Sequence, residues 1–137
     1  MFEAEKDKYL MKHGFGATRL KAVLFDMDGV LFDSMPNHAY SWSHAMTQFG
    51  LHITPEEAYM HEGRTGGGTI DLLAQRDWGR RATEEEKQTI YKAKSDVFSR
   101  CPEAPRMPGA YELLKKVKAD GFTPMVVTGS GQVSLIG

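Results

Sequence analysis

Lys21-Ala22-Val23-Leu24-Phe25-Asp26-Met27-Asp28-Gly29-Val30-Leu31-Phe32-Asp33-Ser34 is the stretch around which the chain is organised. An apolar run ends at two carboxylates one residue apart, and a glycine follows. Lys21 to Phe25 reads as a buried strand. Side chains two apart on an extended chain point the same way, so Asp26 and Asp28 are expected together at the strand's C-terminal end, where open α/β sheets place their ligands. Gly29 lets the backbone turn directly after the pair. At about 4 Å and an effective dielectric near 20, two such charges repel by roughly 4 kcal/mol. The pair persists where a cation neutralises it or one member keeps its proton. A hard cation such as Mg²⁺ takes oxygen ligands and brings a phosphate with it. A protonated carboxyl can serve as a general acid. An acidic turn at a strand end, where Asp and Gly are common, is the alternative reading of Asp-x-Asp-Gly alone.

The chain has 137 residues, 41% of them hydrophobic, and a formal net charge of −1. That is ample for one domain with a real core, and it gives no electrostatic case for nucleic acid or an anionic membrane. No apolar run approaches the ~20 residues of a membrane span, and Met1 to Leu10 lacks a signal-peptide core. The single cysteine, Cys101, excludes an intrachain disulfide and suits a reducing cytoplasm. A cytoplasmic monomer is the expectation.

Phe2 to about Lys12 mixes charges with Tyr9, Leu10 and Met11 and predicts a short surface helix ended by Gly14 and Gly16. Beyond the acidic stretch, Val30 to Phe32 predicts a short hairpin or flap arm. Ser34 as cap and Pro36 in the first turn open a helix to about Phe49, and Gly50 ends it. Thr54-Pro55-Glu56-Glu57 opens a second, to about Glu62. Gly63 to Thr69 reads as a flexible loop before a helix over about 69–76. Thr83-Glu84-Glu85-Glu86 opens a helix to about Ser99. Pro102, Pro105 and Pro108 mark a stiff connector. A helix follows from Ala110 to near Gly121, with Leu113, Leu114 and Val117 on one side. Phe122 to Val127 reads as a second buried strand, and Gln132 opens a further helix. This order predicts an α/β core interrupted by an all-helical insert: an N-terminal extension over 1–20, a core over 21–34 and 102–137, and the insert over 35–101.

The string Asp26-Met27-Asp28-Gly29-Val30-Leu31-Phe32-Asp33-Ser34 closely resembles the first signature of the haloacid dehalogenase-like hydrolase superfamily, in the branch that holds β-phosphoglucomutase and small phosphatases. The resemblance runs from about Lys21 to the end of the chain. It implies a Rossmann-like parallel-sheet core, incomplete here, with an inserted all-helical cap hinged at Asp33–Pro36 and Pro102–Pro108. Two strands are too few for a doubly wound sheet, so the chain is expected to be the N-terminal part of a longer one. In the family a lysine-bearing helix and an acidic strand-end loop would follow.

The resemblance also assigns roles. Asp26 is the implied nucleophile that forms an aspartyl-phosphate, and Asp28 the general acid and base. The Asp26 carboxylate and the Asp28 carbonyl are the implied Mg²⁺ ligands. Met125 to Ser130 is similar to the second family signature: Thr128 would donate to a phosphate oxygen, with the Gly129 and Ser130 amides beside it. His38 and Trp42 fall where β-phosphoglucomutase has a hinge-proximal His and Trp. Its loop arginine for a distal phosphate is replaced here by Gly66, with Arg64 two residues earlier as the candidate for a substrate anion. The implied function is Mg²⁺-dependent phosphoryl transfer on a small phosphorylated metabolite, a sugar phosphate by expectation. A truncated, non-catalytic phospho-ligand binder is the alternative. Gly129-Ser130-Gly131-Gln132-Val133-Ser134 also mimics a dinucleotide fingerprint, which would make the chain an oxidoreductase. An EF-hand fails on its ligand positions, and the histidines lack zinc spacing.

Overall fold

The computed structural model describes residues 2–14, 16 and 19–129. The elements run α1 (Glu3–His13), β1 (Ala22–Asp26), α2 (Met35–Gln48), α3 (Pro55–Met60), α4 (Gly66–Asp77), α5 (Glu84–Ser99), α6 (Ala110–Ala119) and β2 (Thr123–Val127). Ser130 and the helix expected from Gln132 lie outside the described residues.

β1 and β2 pair in parallel, Ala22 opposite Thr123 through Asp26 opposite Val127. A parallel pair needs a long crossover, and the helical block with α6 supplies it. Ala110, Leu114 and Val117 form a stripe on α6 that packs on Val23 and Phe25, the spacing that puts three side chains on one helix face. The strands were expected to be buried. Only Phe25 is: on the opposite sheet face Leu24, Met125 and Val127 stay half or more exposed, because α6 covers one side alone.

The second core lies in the helical block. Met46, Ile70, Leu73, Ala74 and Ile90 are fully enclosed there, with α2 packed on α3 and α5, and α4 on α5. Starts of α3 and α5 follow the expected signals. Thr54 accepts from the Glu57 amide at 3.1 Å and its own amide donates to Glu57 at 2.9 Å; Thr83 and Glu86 repeat this at 3.1 and 2.9 Å.

Three local expectations are corrected. Gly66, Gly67 and Gly68 are not loop but the first turn of α4, which Thr65 caps by accepting from the Gly68 amide at 3.2 Å. Ser34 sits at the N-cap of α2 without capping it, since its hydroxyl is engaged elsewhere. The expected flap arm is a turn: the Leu31 and Phe32 amides both donate to the Met27 carbonyl. Leu31–Asp33 then pairs with Pro105–Met107, the Asp33 amide donating to Pro105 at 2.8 Å and the Met107 amide to Leu31 at 2.9 Å. The two connectors between sheet and helical block are thus zipped together beside the strand end. Asn37 ties them once more by donating to the Pro102 carbonyl at 2.8 Å.

Candidate active site

β1 stops at Asp26, and the backbone reverses at once. Gly29 adopts φ +75°, a region that penalises any side chain, and its amide donates to Phe32 at 2.8 Å. Met27, between the two acids, is buried. Asp26 and Asp28 therefore emerge together and both line one cavity of about 170 Å³ between strand end and helical block. Asp26 accepts from the Met27 amide at 2.8 Å. Asp28 is held harder: its Oδ1 accepts from the buried Ser34 hydroxyl at 2.5 Å and meets His38 Nε2 at 3.1 Å. The His38 hydrogen bond, helped by Ser34, holds the Asp28 carboxyl below its ordinary value against the opposing effect of burial.

The other ring nitrogen of His38 meets Lys94 Nζ at 2.9 Å. When Lys94 carries its charge it donates to Nδ1, so the imidazole is neutral with its hydrogen on Nε2, aimed at Asp28. Phe98 stacks on His38 with ring centroids 4.4 Å apart and fixes its plane. Lys94 is 2% exposed. Its ammonium lies 4.7 Å from the ring centroid of Phe98, 5.5 Å from that of Trp42 and 6.0 Å from that of Tyr91. Burial pulls its pKa down to about 8, although Asp28 and Glu62 act the other way.

Glu62, Arg64, Gly66, Tyr91 and Gly129 complete the walls that matter chemically. Burial raises the Glu62 carboxyl above its ordinary value; Asp28 and Asp26 push in the same direction, while His38 and Lys94 oppose. The cavity thus gathers Asp26, Asp28, His38, Arg64 and Gly129 of the residues singled out from the sequence. Thr128 directly follows β2, and Ser130 lies outside the described residues.

Sequence reading missed Lys94, Glu62 and Tyr91. Lys94 left one trace: it stands between Ile90 and Val97 on the buried stripe of α5, where a lysine without a task is out of place. As a donor set for a divalent ion, the strand-end oxygens are hard ligands of the type Mg²⁺ takes. They form a partial site, for among the described residues no three His, Cys, Asp or Glu converge to hold a metal.

A parallel strand pair carrying paired carboxylates at its C-terminal end, interrupted by a helical block that closes on them, defines a Rossmann-like hydrolase fold with an inserted helical unit. Residues 20–135 match the haloacid dehalogenase-like hydrolases, and the chain belongs to that family. It is 30% identical over 119 residues to a phosphoglycolate phosphatase of Haemophilus influenzae, a match covering 81% of this chain and 52% of that protein. Among solved structures it is similar to a candidate β-phosphoglucomutase of Bacteroides vulgatus, with 57% identity, a TM-score of 0.88 and coverage of 98% of this chain and 56% of that one. A β-phosphoglucomutase of Clostridium difficile shares the fold at 20% identity and a TM-score of 0.73, over 86% of this chain and 56% of that one. The chain spans about half the length of these relatives. Among the described residues no helix is long and apolar enough to cross a membrane.

Proposed function

We propose that the protein carries out phosphoryl transfer on a small phosphorylated metabolite, with Asp26 as nucleophile and Asp28 as general acid and base. One observation carries this reading: both carboxylates open into the same cavity, and Asp28 is hydrogen-bonded to a second titratable side chain, His38. In the first step an Asp26 oxygen forms a bond to phosphorus as the ester P–O bond breaks. The leaving oxygen takes a proton from Asp28. In the second, Asp28 removes a proton from water, whose oxygen attacks phosphorus, and the Asp26 carboxylate is released.

The resting Asp28 is a carboxylate by its lowered pKa, which suits the second step directly. For the first it needs a proton, and Lys94 is its source: the ammonium gives a proton to Nδ1 as the Nε2 proton passes to Asp28, so the ring stays neutral and Lys94 gives up its charge. The α5 lysine thereby links the helical block to the acid–base residue. Arg64 offers a cation to a substrate anion. The Thr128 hydroxyl and the Gly129 and Ser130 amides are assigned to the transferred phosphate. The Asp26 carboxylate and the Asp28 carbonyl would hold Mg²⁺, which when bound offsets the repulsion between nucleophile and phosphate. The helical block over 35–101 acts as a cap that excludes water, with the core over 21–34 and 102–137 and an extension over 1–20.

A sugar phosphate follows from the resemblance. Phosphate release by the full-length protein should require Mg²⁺ and vanish in Asp26→Asn. Undiminished turnover in that variant would remove Asp26 as nucleophile. Tight binding of phosphorylated ligands without turnover would identify a phospho-ligand binder instead.

A further inference from the structure

The start of α2 is weakly held by its own residues. Ser34 stands at the N-cap, but its hydroxyl donates to Asp28 and makes no capping bond, and the first turn holds no acidic side chain to meet the helix dipole. Yet this turn leads into His38, which reaches two partners at once: Asp28 Oδ1 on the sheet side at 3.1 Å and Lys94 Nζ on α5 at 2.9 Å. The first contact is near the upper end of an N–H···O bond, roughly 3.2 Å, so a slip of a few tenths of an ångström breaks it. Asn37, one position before His38, fixes the turn from outside the helix. Its Nδ2 donates to the Pro102 carbonyl at 2.8 Å; a carbonyl only accepts, so the amide nitrogen is the atom that faces it. Pro102 lies just past the end of α5, the helix that also supplies Lys94 and Phe98 to His38. One turn on along α2, Ser41 donates to the Asn37 carbonyl at 2.6 Å, and its oxygen lies 3.7 Å from Cys101 Sγ.

We infer that Asn37 is a positioning residue for the reaction: its amide, clasped to the Pro102 carbonyl, holds the start of α2 against the end of α5 in the register from which His38 meets both Asp28 and Lys94. The inference rests on the phosphoryl-transfer reading and adds to it a residue that touches neither substrate nor reacting atoms. The clasp is the third rung of a ladder whose other two, Met107 to Leu31 and Asp33 to Pro105, are backbone bonds. Those two fix the connectors to each other but not the helical turn beyond Ser34. Asn37 joins positions 65 apart in the chain, where both connectors enter the helical block. Its bond is exposed and adds little to global stability. Its weight falls on the geometry of the proton path from Lys94 through His38 to Asp28.

The test separates positioning from mere support. Full-length Asn37→Ala should turn over esters with poor leaving groups about three- to tenfold more slowly, the worth of one ordinary hydrogen bond, while KM changes little. Esters with activated leaving groups need no proton in their first step and should be nearly unaffected. Asn37→Asp keeps the shape but sets an acceptor against the carbonyl, and should lose at least as much on the poor leaving groups. Equal losses on both ester types, or an aspartate variant as active as the unaltered protein, overturn the proposal. The ¹⁵N resonances of the His38 ring give a readout without turnover. The unaltered protein should keep its ring hydrogen on Nε2, and in Asn37→Ala that hydrogen should exchange with water severalfold faster. Unchanged exchange in the folded variant also overturns the clasp. A His38 signal that follows the clasp, without Asp26-dependent phosphate release from any ester, upholds the positioning of His38 and sinks the phosphoryl-transfer reading alone.

Discussion

On the sheet side of the cavity, Asp26 and Asp28 stand two residues apart and Gly129 comes from the segment just after the neighbouring parallel strand. On the helical side, His38, Glu62 and Lys94 come from α2, the segment after α3, and α5, with His38 and Lys94 separated by 56 positions. The acidic pair of the first wall is made by a few consecutive backbone angles. The second exists only once four helices have packed. Substitutions in the first wall should therefore remove the chemistry on every substrate, while those in the second weaken the proton supply to Asp28 and change ligand binding and stability.

The largest expected effect is chemical. Asp28→Asn keeps the Ser34 and His38 contacts in shape but cannot carry the proton. Turnover of esters with poor leaving groups should fall by about 10²–10⁴, the usual worth of a positioned acid or base. Esters with activated leaving groups should lose much less in their first step. Steady-state rates on the two ester types decide it, and an equal loss in both would argue against the acid role and weaken the division between the walls.

Next comes the contrast between the two apolar clusters. Leu73 is fully enclosed in the helical block, whereas Leu24 on the bare sheet face is 65% exposed. Leu73→Ala should cost about 2–5 kcal/mol through lost burial and a residual cavity, and Leu24→Ala under about 0.5 kcal/mol. Urea denaturation of both variants measures the difference. A large loss at Leu24 would mean that something covers that face in the full-length protein.

Lys94 sharpens the comparison within a single side chain. Its pKa of about 8 in the fold lies below the ordinary 10.5. Between those values the unfolded chain binds more protons, so stability rises with pH through that window, and at pH 7 the full penalty of about 3 kcal/mol is present. Lys94→Met removes the penalty but leaves His38 Nδ1 without its donor, at a cost of about 1 kcal/mol or more. The variant should be more stable by roughly 1–2 kcal/mol at pH 7 and lose the rise between pH 8 and 10.5, while binding phosphorylated ligands more weakly. Denaturation midpoints across pH follow it. A destabilised variant at neutral pH would show that the charge is already satisfied.

What the sequence made legible divides along the same line. Asp26, Asp28 and β1 were readable because period-two alternation and a glycine turn are local facts, and the helices of the block announced themselves through Thr54, Thr83 and their glutamates. The start of α4 was misplaced because three glycines signal a loop, whereas the Thr65 cap begins a helix there. Lys94 and Glu62 stayed hidden because a charged residue is read as exposed, and only packing shows that it is not. The strands read as buried from their composition, yet burial needs a neighbour on each face and α6 provides one.

The smallest effects test whether the helix starts really act locally. Each capping glutamate is also gripped by an arginine: Arg76 reaches Glu57 at 2.6 Å, and Arg80 reaches Glu86 at 2.9 and 3.1 Å. The Arg80 contact, with the Thr83 amide, brings the Glu86 carboxyl down to about 2, so whatever it contributes is present above the ordinary carboxylate range and lost as pH falls toward 2. These pairs are exposed and screened, which leaves the threonine as the stronger local term. Thr54→Ala and Thr83→Ala should each cost about 1 kcal/mol and leave the cavity's ligand preference untouched. Thr65→Ala removes a single bond to Gly68, with no reciprocal glutamate, and should cost less. If the three variants shift stability alike, the reciprocal glutamate bonds at the starts of α3 and α5 add nothing to what the threonine supplies alone.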